Sequence, residues 1–135
     1  MNLFTADVGQ GKVHIYDSGN DVFHGKLPEE NLINLNIEGL KRGDSLVVEC
    51  AHLRESHRYT MAQPFNFDQL TQLKENAKEM GITLLLFPQK STPKTRKLAG
   101  LGENDKTDEA DTKAIANFLL KDRSAFYALK EFVFL

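Results

Sequence analysis

Residues 3–27, LFTADVGQGKVHIYDSGNDVFHGKL, hold three apolar runs separated by nothing longer than a glycine turn. LFTADVG (Leu3–Gly9) and KVHIYDSG (Lys12–Gly19) meet at GQG, and DVFHGKL (Asp21–Leu27) follows the turn SGN. Short glycine turns of this kind suit antiparallel hairpins, so the chain is expected to begin as a three-stranded meander. Beyond it the pattern changes. SLVVECA (Ser45–Ala51) and ITLLLFP (Ile82–Pro88) are short apolar runs suited to buried strands. Between them NFDQLTQLKENAKEMG puts Phe67, Leu70, Leu73, Ala77 and Met80 on one helical face and stops at Gly81. Strands separated by a helix pair in parallel through a right-handed crossover. PEENLINLNIEGL reads as a short helix, with a proline and acids at its front and Gly39 near its end. TDEADTKAIANFLLK and then RSAFYALKEFVFL read as helices at the carboxyl end. The expected fold is α/β: a mixed five-stranded sheet, three antiparallel strands then two parallel ones, with helices on both faces.

A chain of 135 residues, 41% of them hydrophobic, suits one domain over 1–135 with a real core. The formal net charge of −2 gives no overall signature of a nucleic-acid binder, so any basic surface is local. The single cysteine, Cys50, excludes an internal disulfide framework. MNLFTADVGQGK has neither the basic start nor the apolar run of a signal peptide, and no stretch is long enough to cross a bilayer. The expected setting is the reducing cytoplasm, away from membranes.

The acids are placed less predictably. Asp108, Asp111, Ile115 and Phe118 recur at helical spacing, so one stripe of the last long helix runs from carboxylates into core residues. Asp7 and Glu49 each interrupt an apolar strand that contains no arginine or lysine. Taken alone, Asp108 and Asp111 suit a helix amino terminus capped by Thr107, and Asp7 suits a strand end that binds the turn backbone. Glu49 is harder to account for, since glutamate is depleted in buried strands. A buried carboxylate costs several kcal/mol unless it is paired or bound to a metal, so four acids on three buried elements call for cations.

ADVGQGK on the first strand, VVECA on a later one and KTDEADTKAIANFLL on a helix together resemble the Asp, Glu, Asp, Asp signature of the RuvC-like branch of the RNase H fold. Within that branch the likeness is to the DEDD transposases of Piv/MooV-type insertion sequences, over roughly Leu3 to Leu120. The resemblance implies an RNase H-like domain whose metal-binding and catalytic acids are Asp7, Glu49, Asp108 and Asp111. It implies magnesium or manganese as cofactor, two ions, and DNA as partner, at element ends or branched junctions, with a guide RNA in some relatives. Those transposases also carry a C-terminal domain with a serine nucleophile. The chain is therefore either the N-terminal part of a longer transposase or a stand-alone nuclease close to the Holliday junction resolvases. Handling two DNA ends or two strands at once implies a homodimer.

The chemistry agrees with that likeness. Phosphodiester cleavage needs an activated oxygen nucleophile and relief of charge on the leaving oxygen, and two divalent ions about 3.5–4 Å apart supply both. Oxygen ligands select magnesium or manganese over zinc. Asp7, on a central strand, suits the bridging position, with Glu49 and Asp108 or Asp111 completing the shells. For the substrate, Lys90, Lys94, Arg96 and Lys97 follow one parallel strand, and Arg54 and Arg58, with His52 and His57, follow the other. Loops at the carboxyl ends of parallel strands line the ligand crevice of open α/β sheets, where phosphate contacts position a duplex without reading its bases. DVGQGK also resembles the first phosphate loop of actin-like and sugar-kinase ATPases, but a second domain and second glycine-rich loop have no room here. The remaining alternative is a non-catalytic RNase H-like module that binds nucleic acid or a protein.

Overall fold

A computed structural model describes residues 1–9, 11–50, 67–88 and 107–131, with backbone alone at positions 9, 49, 50, 67, 70, 88, 108, 130 and 131. The elements are β1 (Leu3–Gly9), β2 (Lys12–Asp17), β3 (Val22–Pro28), α1 (Glu29–Ile33), β4 (Ser45–Cys50), α2 (Phe67–Met80), β5 (Thr83–Pro88), α3 (Asp108–Lys121), α4 (Arg123–Tyr127) and β6 (Lys130–Glu131). The sheet order is β3-β2-β1-β4-β5-β6. β1, β2 and β3 are mutually antiparallel, while β4 and β5 run parallel to β1. This is the expected mixed sheet, three antiparallel strands followed by two parallel ones, and its order and directions are those of the RNase H-like α/β fold.

Side-chain alternation divides the core into two layers. Phe4, Ala6, Leu46, Val48, Leu84 and Leu86 face α1 and α2, meeting Leu32, Leu73 and Ala77. Leu3, Val47, Leu85 and Phe87 face α3 and α4, meeting Ile115, Leu119 and Phe126. Covered on both sides, β1 buries Leu3, Phe4, Thr5 and Ala6 in succession, which is why its sequence shows no polar alternation. β3 is the outer strand and is largely exposed, in keeping with its histidine, glycine and lysine. Among the described residues no helix is long and apolar enough to cross a membrane.

Two helical expectations change at their ends. The first helix stops at Ile33 rather than near Gly39. Leu35 takes a left-handed conformation, φ 54°, while its N–H bonds Leu32 O and the Asn36 N–H bonds Asn31 O, the paired closure of a Schellman cap. Burial of Leu35 and Ile37 beyond the cap offsets the backbone strain, about 1 kcal/mol or more for a non-glycine residue. At the carboxyl end, RSAFYALKEFVFL does not form one helix. Asp122 caps α4 by accepting from the Ala125 N–H at 3.1 Å, α4 ends at Tyr127, and Lys130–Glu131 then pairs antiparallel with β5. The short β6 thus covers an edge that a five-stranded sheet leaves open.

Two buried acids lie at the end of the sheet where β1 and β4 begin. Asp17 accepts from Asn2 Nδ2, from the Asn20 N–H at 3.1 Å and from Asn20 Nδ2 at 2.8 Å. Asp44 accepts from the Asn2 N–H at 2.9 Å and the Lys41 N–H at 2.8 Å. Burial by itself pushes the Asp17 carboxyl up, but the hydrogen bonds from Asn20 and Asn2 together outweigh it and hold its pKa below the usual carboxylate value. A lowered folded-state pKa means that this stabilisation is present above the unfolded value and is lost as pH falls through the folded one. Asp17→Asn is therefore expected to cost about 2 kcal/mol in urea unfolding at neutral pH. The gap from wild type should close as pH falls below about 4, into the range where the native carboxyl takes up its proton. A gap that stays constant down to pH 2 would show that the charge of Asp17 contributes nothing.

Candidate metal centre

Asp7 stands at the other end of the sheet, near the carboxyl end of β1, and is half-buried. Strand alternation puts it on the face of Leu3 and Thr5, the side that α3 covers. The β1–β4 register runs from Leu3↔Ser45 to Ala6↔Val48, and one further step along both strands brings Asp7 level with Glu49. These two acids therefore sit side by side at the carboxyl ends of adjacent parallel strands. In the sheet order β2 lies on one side of β1 and β4 on the other, and open α/β sheets bind ligands at the carboxyl ends of parallel strands where the strand order reverses.

α3 is fastened over the same corner. Thr5 Oγ1, fully buried, donates to the backbone carbonyl of Thr112 at 2.8 Å, two residues from Asp7 on one side of the bond and one residue from Asp111 on the other. Thr107 caps the helix by accepting from the Ala110 N–H at 3.0 Å, and Thr112 Oγ1 donates back to the Glu109 carbonyl at 3.0 Å. The expected helix cap is thus present. Asp111 lies one turn inside the helix and is only 8% exposed, on the stripe that continues through Ile115 at 2%. Thr5→Val keeps the shape and removes the bond, leaving the Thr112 carbonyl with no partner from Thr5. The expected cost is about 1–3 kcal/mol in denaturant unfolding, and a loss below a few tenths would mean that the bond does not hold α3.

The four sequence-selected acids are thus accounted for as follows. Asp7 and Asp111 are described with their side chains and belong to the same face and end of the sheet. Glu49 and Asp108 are placed by backbone, one level with Asp7 and the other as the first residue of α3. Among the described residues no three His, Cys, Asp or Glu side chains form a metal-binding group, a set that leaves out the carboxylates of Glu49 and Asp108. The six basic residues selected for DNA, Arg54, Arg58, Lys90, Lys94, Arg96 and Lys97, lie outside the described residues, as do His52 and His57.

The sequence reading passed over His14. It pairs with Asp7 across β1 and β2 in the register Asp7↔His14, and so shares its face. Its ring stacks on Phe23, with centroids 6.0 Å apart and planes 3° from parallel. Its signal was present in the hairpin: pairing Gly9 with Lys12 brings His14 opposite Asp7.

No protein-family model matches this chain, and no curated protein sequence matches it. A solved structure of RuvC from Thermus thermophilus overlaps it with a TM-score of 0.43 and 13% sequence identity, covering 98% of this chain and 100% of that one.

Proposed function

We propose that this RNase H-like domain is a divalent-metal-dependent DNA nuclease or recombinase domain of the DEDD-transposase type, with Asp7, Glu49, Asp108 and Asp111 as its metal-binding acids. The observation that carries the reading is the placement of Asp111, a carboxylate 8% exposed on a helix fastened by Thr5 to the strand and face that hold Asp7. Asp7 and Asp111 share the same end of the sheet and the face that α3 covers.

The donor set fits the metal. Every candidate ligand is a carboxylate, the hard oxygen chemistry that suits magnesium or manganese and disfavours zinc. Two such ions, when bound, would supply activation of the attacking oxygen and charge relief on the leaving oxygen. In this reading β1 and β4, which carry Asp7 and Glu49 level with one another, would present those two acids, and the first turns of α3 would add Asp108 and Asp111 at a helix amino terminus that eases their mutual repulsion. Arg54 and Arg58 in the segment after β4, and Lys90, Lys94, Arg96 and Lys97 in the segment after β5, would contact phosphates, since both segments leave the sheet at the end where Asp7 stands.

The test is incubation of the purified chain with a synthetic four-way junction, a linear duplex carrying insertion-sequence ends, and a plain duplex, each with magnesium or manganese. Cleavage of element ends supports a transposase domain, and symmetric cleavage of the junction supports the resolvase-like reading. Metal-independent DNA binding with no cleavage of any substrate would favour a non-catalytic module. Sedimentation of the protein on the cleaved DNA would show whether it acts as a homodimer, and an added RNA that alters the cleaved sequence would indicate a guide.

A further inference from the structure

We propose that His14 is the positioning residue of Asp7, holding its carboxylate in ligand geometry through a fixed N–H donor. The proposal rests on the metal-site reading above. Its first support is register: His14 is the cross-strand partner of Asp7 on the same sheet face, and directly opposed residues have Cβ atoms about 4.5–5.5 Å apart.

The second support is the way the surrounding structure fixes the imidazole. The Lys26 N–H donates to His14 Nδ1 at 3.2 Å, so in the neutral ring the proton sits on Nε2, which is left as a donor. That bond exists because β3 is irregular. The β2–β3 register shifts between Val13 and Ile15, opposite His14, and Lys26 takes a left-handed conformation, φ 57°, that is costly for a residue with a side chain. Gly25 completes the arrangement, since a Cβ there would stand 2.8 Å from Phe23 Cε2 and 3.6 Å from His14 Nδ1. Phe23 is thereby free to stack on the imidazole. A bulge, a strained lysine, a glycine and an aromatic ring all bear on one histidine. Ligating carboxylates are commonly oriented by such outer hydrogen bonds, whose removal costs about 10–100-fold in metal affinity.

The experiment is calorimetric titration of the whole chain with manganese chloride, without DNA, for wild type, His14→Ala, His14→Gln and Asp7→Asn, with thermal unfolding measured alongside. Glutamine keeps a side-chain N–H donor at the reach of Nε2. The expected result is at least tenfold weaker manganese binding in His14→Ala, recovery to within about threefold in His14→Gln, and little change in melting temperature for either. Wild-type affinity in His14→Ala overturns the proposal, and so does equal weakening in both His14 variants, which would make the ring itself the ligand. If His14→Ala does not fold, Phe23→Leu removes the stack and is expected to weaken manganese binding about threefold; unchanged affinity there would also overturn the proposal. Asp7→Asn separates the two readings: if it binds manganese as wild type does, the metal site fails and His14 falls with it. If Asp7→Asn loses binding while His14→Ala keeps it, the metal site stands and only the role of His14 is lost.

Discussion

Asp7→Asn is expected to leave the protein folded and able to bind branched DNA, but to slow magnesium-dependent cleavage by at least about 10³-fold. The substitution keeps the size of the side chain and removes one negative charge and one metal-binding oxygen. Charge stabilisation by a bound ion is worth several kcal/mol in the transition state, and about 4 kcal/mol corresponds to a thousandfold in rate. Folding is expected to survive because Asp7 is half-buried near a strand end, while the neighbouring core residues Phe4, Ala6 and Val48 are untouched. If the four acids do form the proposed site, removing one of their charges relieves repulsion in the metal-free protein, so its melting temperature is expected to hold or rise. Single-turnover cleavage and thermal unfolding, measured with and without magnesium, check both halves. Cleavage at the wild-type rate would dispose of the metal mechanism. A variant that melts far below wild type would mean that Asp7 is a structural residue.

Much of this architecture was legible because it depends on local patterns. Two short glycine turns dictated the meander, and the two apolar runs around an amphipathic helix dictated the parallel pair. The misread ends were those where tertiary contacts override local preference. Leu35 adopts a conformation that its own side chain disfavours because the core receives Leu35 and Ile37 on either side of Asn36. Lys130–Glu131 leaves the helical pattern because β5 offers unpaired backbone groups at its edge. The acids show the same divide. Asp7, Glu49, Asp108 and Asp111 were conspicuous because they interrupt apolar stripes, whereas Asp17 and Asp44 are at least as deeply buried as Asp111 and drew no notice. What separates the two groups is invisible in one dimension. Asp17 and Asp44 lie at the end of the sheet where β1 and β4 begin, beside Asn2, Asn20 and the Lys41 backbone, while Asp7 and Glu49 lie level at the carboxyl ends of the same two strands. His14 was missed for a related reason: its pairing with Asp7 follows from the hairpin register, but the bulge and the left-handed Lys26 that fix its ring do not.

Leu119→Ala is expected to have the largest effect on stability, and through stability on the site. Leu119 is fully buried on α3, in the layer between that helix and Leu3, Val47 and Leu85 of the sheet, whereas its neighbour Leu120 is 44% exposed. Truncating a fully buried leucine costs about 2–5 kcal/mol, the loss of transfer free energy plus the cavity left behind. At about 3 kcal/mol this is a fall of about 10 °C in melting temperature for a domain of this size. The same change at Leu120, on the same helix and with the same loss of helix-compatible side chain, is expected to shift stability by less than about 1 kcal/mol. The contrast also bears on function. α3 is held to the sheet by two independent attachments, the Leu119 layer in its last turns and the Thr5–Thr112 bond near its start, and Asp108 and Asp111 lie at the end of the helix farther from Leu119. If the second attachment is sufficient, folded Leu119→Ala should bind manganese within a fewfold of wild type at low temperature, while folded Thr5→Val should bind it more weakly. The opposite ranking of the two variants in manganese titration would show that the acids are positioned by the helix as a whole rather than by its fastening beside Asp7.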